Sequence, residues 1–421
     1  MSAKPNAIVA QSGGPTTVIN ASACGVVQEA IKSGKIGKVI GATNGILGVL
    51  KEDLFDVTAE KPEAIEALKR TPAAAMGSCR YKLKQMEESR ADFERVLDVF
   101  RAHDIRYFFY AGGNDSMDTA DKVNKLAAKA HYDLVCMGIP KTIDNDLAFT
   151  DHCPGYPSVA KYVATCAMEA GKDTEALYTT DTCTILEVMG RNAGWIAAAT
   201  GLAARTPEDA PHLIYMPEAA FSFDKLVRDV EAVLKRLGRV FIVAGEGLKD
   251  EKGNYVTADS GAFGKDSFGH VQLGGVAEML KAVIEKEVKI KARFNKLGTN
   301  QRAAMHFASA TDIKEAYLCG KTAVQQALRG VNGKMVTLVR EKGKEYKCTT
   351  GLAELSDVAN GEKKVPREYI NADGNHITKA MRNYVRPLVK GEAPVTIGED
   401  GLPVFMRFKR KPLKTKLPNC L

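Results

Sequence analysis

Long apolar runs, paired cysteines and the standard nucleotide-binding signatures are all missing from this chain, and each absence removes a class of function. No apolar segment approaches the roughly 18 residues that a membrane-crossing helix requires. No basic stretch followed by an apolar one opens the sequence either, so the expectation is a cytoplasmic protein with no membrane partner. Nine cysteines, an odd number, are scattered from Cys24 to Cys420 without one C-x-x-C pair. Such spacing suits reduced, buried thiols better than a disulfide framework or a zinc site. Cys420 is penultimate, whereas a prenylation motif needs its cysteine four from the end. The P-loop G-x-x-x-x-G-K-[ST] is absent, because Glu315 stands where Gly320-Lys321-Thr322 would require the first glycine. Neither G-x-G-x-x-G nor H-E-x-x-H occurs. Excess charge is also scarce: of a formal net +8, six positive charges sit in an acid-free tail at Arg407, Lys409, Arg410, Lys411, Lys414 and Lys416. The body is therefore close to neutral, which argues against a nucleic-acid partner.

The chain does have the composition of a soluble globular protein, with 45% hydrophobic and 26% charged residues over 421 positions, enough for two or three domains. Its dominant pattern is a short apolar strand, a glycine-rich or polar turn, and an amphipathic helix. Ala7–Ala10 reads as a buried strand, followed by the turn Ser12–Thr16 and a helix starting near Thr17. Phe93, Val96, Leu97 and Phe100 share one helical face ahead of the strand Tyr107–Tyr110. Further strands are predicted at 134–139, 184–188 and 240–244. Before the last of these, Leu226, Val230, Val233 and Leu237 form an apolar stripe closed by Gly238 at a C-cap. Strands alternating with helices imply an α/β fold with mainly parallel sheets covered on both faces. Five such units exceed one small sheet, and the Pro/Gly-rich stretch 151–157 interrupts both periodicities, so a domain boundary is expected near residue 150.

Each informative turn follows a strand, and in open α/β sheets ligands bind beyond the carboxyl ends of the strands. Gly13-Gly14 ahead of a helix lets backbone N–H groups approach an anion, and the helix N-terminus adds partial positive charge. A glycine pair that merely closes a tight turn would look the same; a second pair at Gly112-Gly113 favours the phosphate reading. Pro140-Lys141-Thr142-Ile143-Asp144-Asn145-Asp146 gathers two carboxylates and a lysine on one turn. A carboxylate there can take the proton of an attacking hydroxyl while the lysine neutralises a transferring phosphoryl group. An Asx-rich surface turn is the alternative left open by these residues alone.

Five ordered motifs decide between these readings: QSGG at Gln11–Gly14, GSCR at Gly77–Arg80, GGNDS at Gly112–Ser116, PKTIDND at Pro140–Asp146 and EVMGR at Glu187–Arg191. With Glu246 and Gln301-Arg302, the sequence resembles the phosphofructokinase family, specifically its pyrophosphate-dependent members, over roughly residues 7 to 312. The resemblance implies two Rossmann-like three-layer domains: a phosphoryl-donor side at 1–150, completed by part of 303–345, and a sugar-phosphate side at 151–302. Residues 346–421 would form a C-terminal extension with the basic tail. It implies reversible transfer from pyrophosphate to the 1-hydroxyl of fructose 6-phosphate, with Mg2+ and a homodimeric or homotetrameric assembly. Asp144 is cast as the general base, with Lys141, Asp115 and Arg191 also catalytic. Thr142, Ile143, Met189, Gly190, Arg191, Glu246 and Arg302 would hold the sugar phosphate, and Gly14, Arg80 and Lys141 the pyrophosphate. Lys363, Tyr384 and Arg386 are candidates for a further phosphate ligand.

ATP-dependent relatives carry GGDGS and PGTIDND at the second and third turns. Here Asp115 and Lys141 replace small residues, which implies repulsion of a nucleotide's α-phosphate and a cation for a donor lacking adenosine contacts. Asn114 stands where those relatives have a magnesium-binding aspartate, so the direct carboxylate contact is lost and an amide oxygen or a bridging water would take its place. Thr182 replaces an arginine that reaches a neighbouring subunit in tetrameric bacterial relatives. The rival readings are an ATP-dependent enzyme of the same fold, a catalytically silent sugar-phosphate-binding subunit, and a polyanion-binding role for the tail.

Overall fold

Eleven strands among the described residues sort into two sheets, each covered by helices on both faces. The computed structural model describes residues 4–81, 90–257 and 275–418; Cys420 lies outside them. In the first sheet the order is β11-β10-β5-β4-β1-β2-β3. It comprises β1 (Asn6–Gln11), β2 (Val39–Ala42), β3 (Leu54–Asp56), β4 (Ile105–Gly112) and β5 (Val135–Pro140), with β10 (Lys334–Arg340) and β11 (Cys348–Glu354) joining from late in the sequence. Pairing is parallel throughout the centre and antiparallel only at the two edges, β2–β3 and β10–β11. Such a sheet must be buried on both faces. The helices Arg90–Ala102 and Asn114–Lys129 enclose Phe93, Val96, Phe100, Phe108 and Tyr110 on one side. On the other side, Ile19–Ser33 and Ala310–Ala327 cover Val9, Phe109 and Ile139.

The second sheet runs β7-β8-β6-β9, all parallel: β6 (Cys183–Val188), β7 (Leu213–Tyr215), β8 (Val240–Gly245) and β9 (Ala292–Lys296). The helix Phe223–Leu237 packs its apolar stripe here and ends at Gly238 in the left-handed conformation (φ 69°), where glycine lacks the Cβ penalty. The opposite face is filled by Tyr156, Trp195 and Phe241, together with Ile370, Met381 and Leu388 from the C-terminal stretch. The chain after residue 345 is thus shared out: β11 extends the first sheet, and 365–388 packs on the second.

The basic tail is pinned rather than loose. Pro412 bridges to Phe55, the N–H of Asp56 donates to the Lys411 carbonyl (3.0 Å), and that of Leu413 donates to the Leu54 carbonyl (2.9 Å), so the tail prolongs the sheet beyond β3. Phe408 packs against Phe55 with centroids 5.3 Å apart and the rings tilted by 55°. The Glu60 carboxylate accepts the N–H groups of Lys409 and Arg410, and that of Glu52 accepts Lys416 and Leu417. Deleting residues 405–421 uncovers Phe55 and strips the buried Glu52 and Glu60 carboxylates of their backbone N–H partners, although Glu52 keeps its 2.6 Å bond to His103. We expect the melting temperature followed by circular dichroism to fall by about 5 °C or more. An unchanged value would mean that the tail holds nothing.

Candidate active site

The order of the first sheet reverses between β1 and β4, which are neighbours with Gln11 opposite Ala111. Their glycine turns therefore lie side by side at the carboxyl edge, the topological switch where open α/β sheets bind ligands. The turn after β5 lies next to that of β4. Across the opening, Met189–Arg191 follow β6 and Glu246 follows β8, a neighbouring pair in the second sheet. The two edges together enclose a cleft of about 650 Å³. Gly14, Arg80, Asn114, Asp115, Lys141, Thr142, Ile143 and Asp144 line its first-sheet side. Met189, Arg191, Glu246 and Arg302 line the other; Gly190, between the first two in the chain, is not itself part of the lining and turns its N–H to Glu246.

Lys141, only 4% exposed, donates from Nζ to the Gly14 carbonyl at 2.8 Å, so the first and third turns are tied. Gly13 permits this approach: it has φ +76°, and a Cβ there would lie 3.1 Å from Nζ. Burial lowers the Lys141 pKa to about 8, against the pull of Asp144 and Asp146. Asp144 is held by its own turn, its N–H donating to Thr142 Oγ1 at 3.0 Å. Burial raises its pKa, while Lys141, Arg191 and Arg302 pull it down. Burial and the neighbouring Asp144 charge bring Asp146 up to about 7, and Glu246 is likewise at about 7. Acids raised and a base lowered toward neutrality in one cleft are a feature of reacting sites. Glu246 Oε1 accepts the Gly190 N–H at 3.3 Å, and Gln301 Oε1 accepts that of Met189 at 3.0 Å. These bonds fix the second-sheet loop. Arg302 reaches across to Gly14, where a Cβ would meet its Nη1 at 3.1 Å.

Three expected ligands fall outside the cleft. Lys363 donates from Nζ to the carbonyls of Thr150 (3.1 Å) and Asp151 (2.9 Å) and to Asn145 Oδ1 (3.3 Å). Tyr384 donates to the Asp151 carbonyl (2.7 Å) and accepts from the Asn145 amide (3.0 Å). Both brace the back of the Asp144–Asp146 turn, in which Asn145 takes φ +55°, a conformation that asparagine tolerates. Arg386 lines a different cavity altogether. The residues that sequence reasoning missed are Asn360, Gly361 and Glu362, which close the cleft from the C-terminal stretch. The Asn114 amide holds this segment by donating to the carbonyls of Gly361 (2.5 Å) and Val358 (3.2 Å). Nothing in the spacing of residues nearly 250 positions apart announces that contact.

With the geometry in place, similarity to known proteins separates this cleft from other phosphate sites. The profile of the family described as Phosphofructokinase matches residues 6–327. The chain belongs to the phosphofructokinase family. It is 49% identical over 414 residues, covering 98% of both chains, to the pyrophosphate–fructose 6-phosphate 1-phosphotransferase of Xanthomonas campestris pv. campestris. The enzyme of the same name from Halomonas elongata is 48% identical over 418 residues, with 99% of each chain covered. A crystal structure titled pyrophosphate-dependent phosphofructokinase from Marinobacter aquaeolei superposes with a TM-score of 0.89 at 45% identity, covering 99% of each chain. The two α/β units with mainly parallel sheets are thus the phosphofructokinase fold.

Proposed function

We propose that this chain moves a phosphoryl group from pyrophosphate to the 1-hydroxyl of fructose 6-phosphate, giving fructose 1,6-bisphosphate and phosphate, and that it runs the reaction in both directions. The single observation that carries the choice of donor is the presence of Asp115 and buried Lys141 in the same cleft as Asp144. In the division of labour, the first sheet holds the donor through Gly14, Arg80 and Lys141. The second holds the sugar phosphate through Met189, Gly190, Arg191, Glu246 and Arg302, with Thr142 and Ile143 between. Asp144 takes the proton of the 1-hydroxyl as its oxygen attacks the near phosphorus. The bond to the bridging oxygen breaks, and phosphate leaves toward Lys141. Catalysis rests on alignment and charge neutralisation, because little covalent chemistry falls to the protein.

Magnesium fits this donor set. Asp146 Oδ1 is buried with no hydrogen-bond partner, and the Asn114 amide points its nitrogen at backbone carbonyls, which leaves Oδ1 as its acceptor. These two oxygens would hold the ion together with donor phosphate and water. Bound there, Mg2+ would screen the charge of the pyrophosphate. Among the described residues no trio of His, Cys, Asp or Glu is close enough to hold an ion alone. The reading also includes a homo-oligomer, dimer or tetramer, working in the cytoplasm. Its eight described cysteines are all unpaired, and none of the described helices is long and apolar enough to cross a membrane.

The deciding assay compares pyrophosphate with ATP for fructose 1,6-bisphosphate formation in the presence of magnesium. Product with pyrophosphate alone is the expected result, and product with ATP alone removes the reading. The pH profile gives a second test. Asp144, Asp146 and Glu246 must be ionised and Lys141 protonated, so kcat/KM should fall as pH drops through about 7 and again as it rises through about 8. Lys141→Arg keeps its charge at all these values. In that variant the alkaline limb should move up or vanish; an unmoved limb would take Lys141 out of the donor site.

A further inference from the structure

The amide nitrogen of Asn114 is spent on a distant segment of the chain. It donates to the carbonyls of Val358 (3.2 Å) and Gly361 (2.5 Å), and just beyond them the Lys363 N–H donates to the Asp146 carbonyl (2.7 Å). Glu362 is therefore strung between Asn114 and Asp146, the two residues whose oxygens face the ion. Further bonds hold the strip: the Lys363 carbonyl accepts from Trp195 Nε1 (3.0 Å), and Glu218 Oε1 accepts the Val365 N–H (3.0 Å). Gly361 lets it lie this close, since a Cβ there would come within 2.6 Å of the Ala148 Cβ. The backbone at Gly361 is extended (φ −99°, ψ 143°), and along an extended chain successive side chains point to opposite sides. Lys363 passes behind the Asp144–Asp146 turn to the Thr150 and Asp151 carbonyls, whereas Glu362 lines the cleft.

Little beside it neutralises that carboxylate. Its one ion pair among the described residues is with Lys364, Nζ to Oε2 at 3.8 Å, close to the outer limit of such a contact. Asp146, whose Oδ1 is buried without a hydrogen-bond partner, feels the charge: burial, then Asp144, and in smaller part Glu362 push its carboxyl up to about 7. Carboxylates that face one another beside a pyrophosphate site repel each other and the donor unless a cation stands between them. We propose that Glu362 supplies the carboxylate that position 114 lacks, binding the magnesium ion together with Asp146 and the Asn114 amide oxygen, so that the C-terminal stretch completes the metal site. The assignment rests on the reading above in which Mg2+ accompanies pyrophosphate. Asn114 then serves twice, its nitrogen fixing the segment and its oxygen facing the ion. An aspartate at 114 could not do both, because an ionised carboxylate has no proton to donate to the Val358 and Gly361 carbonyls. The amide at 114 and the carboxylate at 362 thus belong to one arrangement.

Binding of Mn2+, a paramagnetic stand-in for Mg2+, tests the assignment without turnover. The full chain is titrated with Mn2+ in the presence of imidodiphosphate, a pyrophosphate analogue with a bridging nitrogen, and free Mn2+ is read by electron paramagnetic resonance against a protein-free blank. Wild type should show saturable binding. Glu362→Gln, which keeps the size and removes the charge, should weaken it by about tenfold or more, the scale on which even an outer partner of a metal ligand acts. The gap should persist at about 1 M KCl, where the Debye length is about 3 Å. Lys364→Gln removes the ion-pair partner of Glu362 and should leave Mn2+ binding no weaker than in wild type. Equal binding by wild type and Glu362→Gln, or a gap that closes in salt, overturns the proposal while leaving pyrophosphate as the donor. Equal losses in Glu362→Gln and Lys364→Gln overturn it too, because the ion would then depend on the order of the segment and not on the carboxylate. No saturable binding by wild type overturns both the proposal and the magnesium reading beneath it.

Discussion

Asp144→Asn should lower kcat by about 10²–10⁴-fold while leaving the KM for fructose 6-phosphate within a small factor, the range that one positioned base contributes. The substitution keeps the shape and the N–H bond to Thr142 Oγ1 (3.0 Å), so the turn survives. What it removes is the lone pair that accepts the hydroxyl proton, and with it the negative charge facing Lys141, Arg191 and Arg302. Ground-state binding depends on those cations meeting phosphate, which the amide does not hinder. A transition-state interaction lost without a binding interaction appears in kcat and not in KM. The alternative, that Asp144 is a structural cap in a polar turn, predicts the opposite pattern: near wild-type turnover with a lower melting temperature. Steady-state kinetics and thermal unfolding on one preparation separate the two.

The same turn shows how far the sequence could be read. Lys141, Thr142 and Asp144 are neighbours in the chain, the turn that carries them follows an apolar strand, and strand-end turns converge by the topology of α/β sheets. All five predicted strands lie within one or two residues of their observed bounds for the same reason: a buried parallel strand is a short apolar run with punctuation on both sides. Contacts made by the C-terminal stretch left no such signature. Lys363 and Tyr384 look like free cationic and aromatic candidates in the sequence, yet they spend their polar atoms on the carbonyls and the amide behind Asn145. Arg386, just past the end of the helix Lys379–Val385, lines another cavity. The tail reads as a run of basic residues, but its backbone is what β3, Glu52 and Glu60 recognise, with the Arg410 and Lys416 side chains adding bonds to the Ala75 and Ala102 carbonyls. Side-chain chemistry is written residue by residue; the partners of a backbone segment are not.

The donor is the property most exposed to test, because two side chains are asked to set it. Asp115 is the second residue of the helix Asn114–Lys129, whose N-terminus opens onto the cleft. Free N–H groups and the helix dipole make such a terminus attractive to phosphate. A carboxylate fixed there occupies that field with a charge of its own, so a longer polyphosphate meets repulsion where it would otherwise find a cradle. Pyrophosphate is too short to reach that far and needs a cation near its leaving end, which Lys141 supplies from its bond to the Gly14 carbonyl. Asp115→Gly with Lys141→Gly should therefore act in opposite senses on the two donors. Pyrophosphate-dependent kcat/KM should fall by about 10²–10³-fold, the cost of losing one preorganised charge at a transferring phosphoryl group. ATP, no longer repelled, should become a measurable donor. The single variants divide the labour: Asp115→Gly alone should admit ATP with a smaller loss for pyrophosphate, and Lys141→Gly alone should lose pyrophosphate without gaining ATP. A double variant that still prefers pyrophosphate and ignores ATP would show that selectivity is set elsewhere in the cleft, with the segment Asn360–Glu362 the next place to look because it closes the same wall.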